Sequence, residues 1–159
     1  MKEKSKFSIA HKDDEMLEII KNTNHKTLAV WAIDCTERVL PYFKGIYPKD
    51  LRPRQAIETL HSWIITDIFK MAVIRKASLQ SHAAAREVGE DNSARSAARS
   101  AGQAVATAHV PAHAYGAAVY AQQAVYRAAN PSEADAAAVR ERDWQYQRLL
   151  ERKNNMQIG

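Results

Sequence analysis

The alanine-rich segment from Ser93 to Ala129 constrains the fold more than any other part of the chain. Alanine favours helix because fixing its side chain costs no rotamer entropy, and its small volume lets two helices approach closely. The dipeptide Val110-Pro111 divides the segment into two helices, and in the first of them apolar residues recur at helical spacing. These residues form one stripe: Ala94, Ala97, Ala98, Ala101, Ala104, Val105 and Ala108. We therefore expect this pair of helices at the centre of an all-α bundle.

Apolar periodicity and capping residues predict the remaining helices. They are expected at residues 13–22, residues 25–44, from Pro53 onward, at residues 67–88 and at residues 133–153. Pro41 is expected to kink or end the second of these helices, because proline lacks a backbone donor. The third and fourth are either separate or continuous, since nothing between Trp63 and Asp67 is a strong helix breaker. The sequence thus predicts a single-domain bundle of six or seven helices.

One domain accounts for a chain of 159 residues, which is long enough to bury a substantial core. We expect a flexible basic arm at residues 1–12, the helical domain at residues 13–153 and a frayed tail at residues 154–159. The N-terminus lacks the apolar region of a signal peptide, and no apolar run approaches the ~18 residues that a membrane span needs. Cys35 is the only cysteine, so no internal disulfide forms, which favours a reducing, cytoplasmic location.

The net charge of +5 arises from basic residues that are scattered among acidic ones. Such mixing is typical of a solvated surface and not of the continuous basic patch that binds nucleic acid. We therefore expect neither nucleic acid nor a membrane as a partner, and the chain to be a monomer or a homodimer.

Two histidines of the second alanine-rich helix, His109 and His113, are four residues apart on one helical face. At this spacing a metal ion can bridge two imidazoles, with His82 as a candidate third ligand. The stretch lacks the HExxH pattern of zinc hydrolases, however, and Pro111 lies in the first turn of the helix. We expect these histidines to be structural, and no metal or other cofactor.

Three arginines, Arg86, Arg95 and Arg99, lie on neighbouring alanine-rich helices. Guanidinium groups make forked, charge-assisted hydrogen bonds, so the cluster is a candidate site for an anion or a carboxylate-bearing partner. The alternative is that these arginines pair within the chain. Their expected partners are then Asp34, Glu37 or Glu87.

Trp144 is a further candidate for partner binding. In the last helix the residues expected to face the core are Ala136, Val139, Tyr146 and Leu150. Trp144 lies on the order of 140° from the centre of that stripe, among charged residues that include Arg140 and Arg148. Trp and Arg are enriched at binding hot spots, so these three form a candidate contact surface. Alternatively, the N-terminal arm or the first helix covers the indole.

Catalytic chemistry has little support in this sequence. Cys35 falls on the core stripe of the second helix, where a thiol behaves as a small hydrophobe. The sequence contains no GxSxG, no P-loop and no dinucleotide-binding fingerprint. We therefore expect a protein that is not an enzyme.

Four segments together resemble a known family. They are LAVWAIDCTERVLPYF, LRPRQAIETLHSW, SHAAARE and SARSAARSAGQAVATAHVPAHAYGAAVYAQQA, which span residues 28–124 of the chain. Their order along the chain is similar to that in the helical bacterial "putative immunity protein" family, whose members are encoded with polymorphic or contact-dependent toxins. The resemblance implies a single-domain protein that inhibits a cognate toxin, and it brings no catalytic residues.

On this resemblance the chain is expected to bind and neutralise a toxin by stoichiometric occlusion. The positive net charge favours a toxin with an acidic face. Two other classes remain open: a metal- or small-ligand-binding enzyme that uses His109, His113 and the arginine cluster, and a structural or nucleic-acid-binding helical module.

Overall fold

The chain folds into helices alone in the computed structural model, which describes Phe7 and residues 12–158, with side chains through residue 155. Eight α-helices and no strand occur in this part of the chain. They are α1 (Asp14–Lys21), α2 (His25–Glu37), α3 (Leu40–Lys44), α4 (Arg52–Thr66), α5 (Met71–Glu87), α6 (Ser93–Ala106), α7 (His113–Ala128) and α8 (Ala134–Ile158). The all-helical prediction is confirmed, whereas the predicted number of six or seven helices is too low.

The additional helix arises at Pro41, where the predicted second helix is divided into α2 and α3. A proline at this position cannot donate to the carbonyl of Glu37, and its ring would clash with that carbonyl. The α2 helix ends at Glu37, and Pro41 then lies in the first turn of α3, where a missing backbone donor costs nothing.

Lys26 of α2 binds the chain at the break between α4 and α5. Asp67 ends α4 in the left-handed region, with φ of 60°. The ammonium of Lys26 donates to the backbone carbonyls of Trp63 and Ile64 at 2.9 and 3.0 Å, and it pairs with the Asp67 carboxylate at 2.9 Å. Lys26 thereby caps the C-terminus of α4, where the Trp63 carbonyl also accepts from the Asp67 backbone N–H at 2.9 Å. The α4 and α5 helices are separate, which decides between the two alternatives that the sequence left open.

The alanine stripe of α6 is buried, since each of its seven residues is at most 4% exposed. The α6 helix packs against α2, α3, α4, α5 and α7. Ser100 ties three of these helices together, because its hydroxyl donates to the Ala117 carbonyl of α7 and bonds the Thr36 hydroxyl of α2, both at 2.8 Å. Asn92 caps the first turn of α6 by accepting from the Arg95 backbone N–H at 2.9 Å.

The face that α8 buries differs from the predicted one. Ala136 and Val139 are exposed, and Tyr146 and Leu150 are only half-buried. The buried positions are instead Ala134, Ala138, Glu141, Gln145 and Leu149. Two of these are polar and have partners on neighbouring helices. The side-chain amide of Gln145, for example, donates to the Ala118 carbonyl of α7 at 2.9 Å. The backbone carbonyl of Gln145 accepts from the Trp31 indole at 2.8 Å.

The C-terminal helix is longer than predicted, and most of the N-terminal arm lies outside the described residues. The α8 helix continues to Ile158, past the expected end near Lys153. Most of the expected basic arm at residues 1–12 lies outside the described residues, but the ring of Phe7 packs against Tyr126, with centroids 5.6 Å apart. None of the helices between residues 12 and 158 combines the length and apolar character that crossing a membrane requires.

Candidate partner-binding surfaces

The surface formed by α2 and α8 is held together by ion pairs. Asp34 of α2 accepts from two arginines of α8: from Arg148 at 3.2 Å, and from Arg152 through Nε and Nη2 at 2.7 and 2.9 Å. Arg148 also pairs with Glu151. This region, which we call the α2–α8 surface, therefore uses most of its charges within the chain.

Trp144 lies on the α2–α8 surface and is half-buried. The guanidinium of Arg38 stacks on its indole ring at 3.9 Å from the centroid, within range of a cation–π interaction. The same guanidinium forms a fork with Glu141, at 2.8 and 3.0 Å. Arg38, the residue that follows α2, therefore contacts the face of Trp144 for which the sequence predicts either a partner or the N-terminal region. Arg140, four residues before Trp144, is exposed.

The arginine cluster is assembled at the contact of α5 with α6, but its partners are not the expected acids. Arg95 pairs with Asp91 at 2.7 Å and donates to the Ala85 carbonyl at 3.0 Å. Arg99 donates to Nδ1 of His82 at 2.9 Å, and the side chain of Arg86 is exposed.

The expected pairing of these arginines with Asp34, Glu37 or Glu87 is therefore wrong. Asp34 is bound by Arg148 and Arg152, as described above. The other two carboxylates bind arginines of the α4 N-terminus: Glu37 pairs with Arg54, and Glu87 with Arg52.

His82 is packed directly against α6. A Cβ on Gly102 would stand 2.6 Å from its Nε2 atom, so the ring requires a glycine there. Because a guanidinium cannot accept a hydrogen bond, the contact with Arg99 requires an unprotonated Nδ1 and a neutral ring. Burial, followed by the charges of Arg99 and Arg86, lowers the pKa of His82 to about 4.

The other two candidate metal ligands have separate neighbours. His113 bonds the Gln103 side chain through Nδ1 at 2.9 Å, while His109 is exposed and stacks on Phe69. Within the described residues, no group of three or more His, Cys, Asp and Glu side chains is placed to hold a metal ion. Cys35 is fully buried, and this burial, reinforced by Asp34 and Glu141, raises the pKa of its thiol.

The outer side of α5 carries apolar residues that the sequence pattern assigns to this helix, since Ala72 and Leu79, like Ile68 and Phe69 before them, are exposed. The α5 helix packs mainly on α4 and α6, and it buries Ile74, Ser81, Ala84 and Ala85. The opposite side, which we call the α5 face, consists of Ala72, Arg75, Lys76, Leu79, Ala83 and Arg86. A shallow groove runs over this face, and its Leu79 side chain is 58% exposed.

Large apolar side chains are also exposed where α4 joins α5. Ile65 and Ile68 are 69% and 63% exposed, and Phe69 is 43% exposed. We call these three residues the α4–α5 turn. Helical periodicity does not decide which side of α5 is buried, because Ala72 and Leu79 lie opposite Ile74 and Ser81 and both sides carry apolar residues. The neighbouring sequence does not predict the exposure of the turn, where Lys26 of the distant α2 helix binds the end of α4.

Comparison with known proteins supplies the family. A model of the Imm-5 like putative immunity protein family matches residues 18–152, well beyond the four segments that carried the resemblance. No curated protein and no solved structure matches the chain. The match covers most of the chain and nearly all of the helical bundle. The chain therefore belongs to the Imm-5 like putative immunity protein family.

Proposed function

We propose that this protein binds and neutralises a cognate bacterial toxin in the cytoplasm of the cell that produces both. The family match over residues 18–152 is the observation that carries this proposal. An immunity role implies a partner toxin, and the family suggests a protein without catalytic activity.

The proposed mechanism is stoichiometric occlusion, in which the bundle covers a functional surface of the toxin. Three of the side chains that first suggested chemistry or binding are engaged within the fold, which supports binding over turnover. His82 is held by Arg99, Arg148 is held by Asp34, and the thiol of Cys35 is buried in the core. The positive net charge of +5 supports a toxin with an acidic face, since opposite charges accelerate encounter.

A titration tests this proposal against a catalytic mechanism. The toxin used is the purified product of the gene adjacent to the one encoding this chain, and its residual activity is followed as this protein is added. Occlusion predicts a linear loss of activity that ends at one equivalent of this protein. Complete inactivation far below one equivalent would instead indicate turnover, and failure to protect cells that express the toxin would overturn the immunity role.

A further inference from the structure

We propose, on the basis of the function above, that the α5 face is the surface that binds the toxin. The partner surface that fits it is one on a folded protein where carboxylates surround an apolar side chain. The α4–α5 turn extends the contact at one end of the helix.

The α5 face places an apolar centre between cations. At 100° per residue, Arg75, Lys76 and Arg86 all lie within about 60° of Leu79 around the helix axis. Ala72 and Ala83 lie in the same sector, and their small side chains leave the groove open on either side of Leu79. An apolar centre with a polar rim is the usual organisation of a protein–protein contact.

The cations of this helix are not neutralised within the chain. Lys70, Arg75, Lys76 and Arg86 form no ion pair with any side chain in the part of the chain that the structure describes. The acids at the two ends of α5 are already bound from outside the helix. Asp67 pairs with Lys26 at 2.9 Å, and Glu87 pairs with Arg52 at 2.5 Å. The positive charge of α5 is therefore available to carboxylates of a partner.

The apolar exposure of the molecule is concentrated beside these cations. Nine large apolar side chains are exposed among the described residues, and five of them lie between residues 65 and 79. These five are Ile65, Ile68, Phe69, Val73 and Leu79. Single exposed apolar residues are ordinary, but a concentration of them next to unpaired charge marks an interaction surface.

A protein partner fits this surface better than a membrane or a nucleic acid. The sector between the cations offers one leucine and two alanines, which bury too little apolar area to hold a helix in a bilayer. A phosphate backbone would pair with the cations but has no apolar group to fill the groove around Leu79. A toxin surface can supply carboxylates and an apolar side chain together.

The test is a charge reversal of the α5 face, Arg75→Glu combined with Lys76→Glu. Its affinity for the purified product of the adjacent toxin gene is measured by titration calorimetry, beside Lys44→Glu combined with Lys49→Glu as a matched control. Lys44, the last residue of α3, and Lys49, between α3 and α4, are also exposed and lie outside α5. We expect the α5 variant to lose at least 100-fold in affinity and the control to change less than threefold, with unchanged circular dichroism in both.

Other outcomes overturn the inference. Equal losses in both variants would show long-range attraction and no docking at α5, and an α5 variant that binds within threefold of wild type would place the contact elsewhere. If the α5 variant binds as well as wild type, the proposed binding surface is wrong but the immunity function is still supported. A wild-type protein that neither binds the toxin nor protects cells would overturn the immunity function itself.

Two further measurements complete the design. Should the double variant fail to fold, Arg86→Glu alone replaces it, with an expected loss of at least tenfold. Phosphatidylglycerol vesicles and duplex DNA are tested as competing occupants. Binding of either one that depends on Arg75 and Lys76, while toxin affinity does not, would assign the face to that occupant instead.

Discussion

The α2–α8 surface and the α5 face are both rich in arginine, yet they use it in opposite ways. On the α2–α8 surface each of three arginines is bound to a carboxylate of the same chain: Arg38 to Glu141, and Arg148 and Arg152 to Asp34. On the α5 face Arg75 and Arg86 have no such partner among the residues that the structure describes. A charge that already has an internal partner stabilises the fold, while a charge without one is free for recognition. Substitutions on the α2–α8 surface should therefore lower the free energy of unfolding, and substitutions on the α5 face should lower the affinity for the toxin.

The largest expected effect on stability is that of Glu141→Ala. The Glu141 side chain is 7% exposed and holds the Arg38 fork. Its removal leaves the guanidinium without a carboxylate above Trp144. We expect the free energy of unfolding to fall by about 2–3 kcal/mol, which is less than for a fully buried pair because water reaches Arg38. Chemical denaturation measures this loss.

The matched change on the other surface is Arg75→Ala, for which stability should stay within about 0.5 kcal/mol of wild type. If the two substitutions cost the same, the contrast between the two surfaces fails.

Trp144→Ala is expected to cost about 2 kcal/mol, since the half-buried indole loses packing and its cation–π contact with Arg38. Toxin affinity should not change, because the indole lies away from the α5 face. Thermal unfolding and calorimetry on the same sample check both statements. A variant with an unchanged midpoint but weaker toxin binding would restore Trp144 as a contact residue.

The buried side of α5 should make stability sensitive to acid through His82. Its pKa is ordinary, 6.5, in the unfolded chain and about 4 in the fold. Below pH 6.5 the unfolded chain therefore binds the extra proton more readily than the folded one. The stabilisation from the neutral ring is complete above pH 6.5 and is lost as the pH falls towards 4.

We expect this loss to be about 1–1.5 kcal/mol, because the ring is partly exposed and water screens its charged neighbours. The measurement is the free energy of unfolding between pH 4 and 7. His82→Gln should flatten the profile in this range, whereas His109→Gln, which changes an exposed ring, should not. An unaltered profile in His82→Gln would show that the acid sensitivity arises at another group.

Among the changes on the α2–α8 surface, Arg148→Ala should have the smallest effect, about 0.2–1 kcal/mol, since Arg152 continues to hold Asp34 through two hydrogen bonds. The double variant of Arg148 and Arg152 should lose more than the sum of the two single changes. Strict additivity, measured by a double-mutant cycle, would show that the two arginines do not share the carboxylate in solution.

Sequence reasoning succeeded where local chemistry determines the structure. The alanine spacing of α6 specified its buried stripe, and the observed cap, Asn92, is of a residue type whose side chain can accept from the first turn of a helix. Pro41 was recognised as the point where the second helix kinks or ends. In each case the deciding residues are within about four positions of the feature that they determine.

It failed where a side chain from a distant helix decides the outcome. Lys26 caps the end of α4 by binding the carbonyls of Trp63 and Ile64, which are 37 and 38 residues away in sequence. No local pattern predicts this contact. The buried face of α8 was misassigned because hydrophobicity excludes Glu141 and Gln145. Both are accommodated by polar groups on other helices. The arginine pairing was missed for two different reasons. The partner of Arg95 is local, since Asp91 lies four residues before it, whereas Arg99 contacts His82 of the neighbouring helix, 17 residues away.

The capping of α4 by Lys26 places a structural contact and the proposed binding side chains on different helices. Lys26 of α2 binds the end of α4 and the Asp67 carboxylate, while Arg75, Lys76 and Leu79 of the α5 face are exposed. Replacing Arg75, Lys76 or Leu79 should therefore alter which toxin is recognised at almost no expense in folding. On the proposed function, new specificities can arise by drift at these positions, with Lys26 as the residue that must be retained.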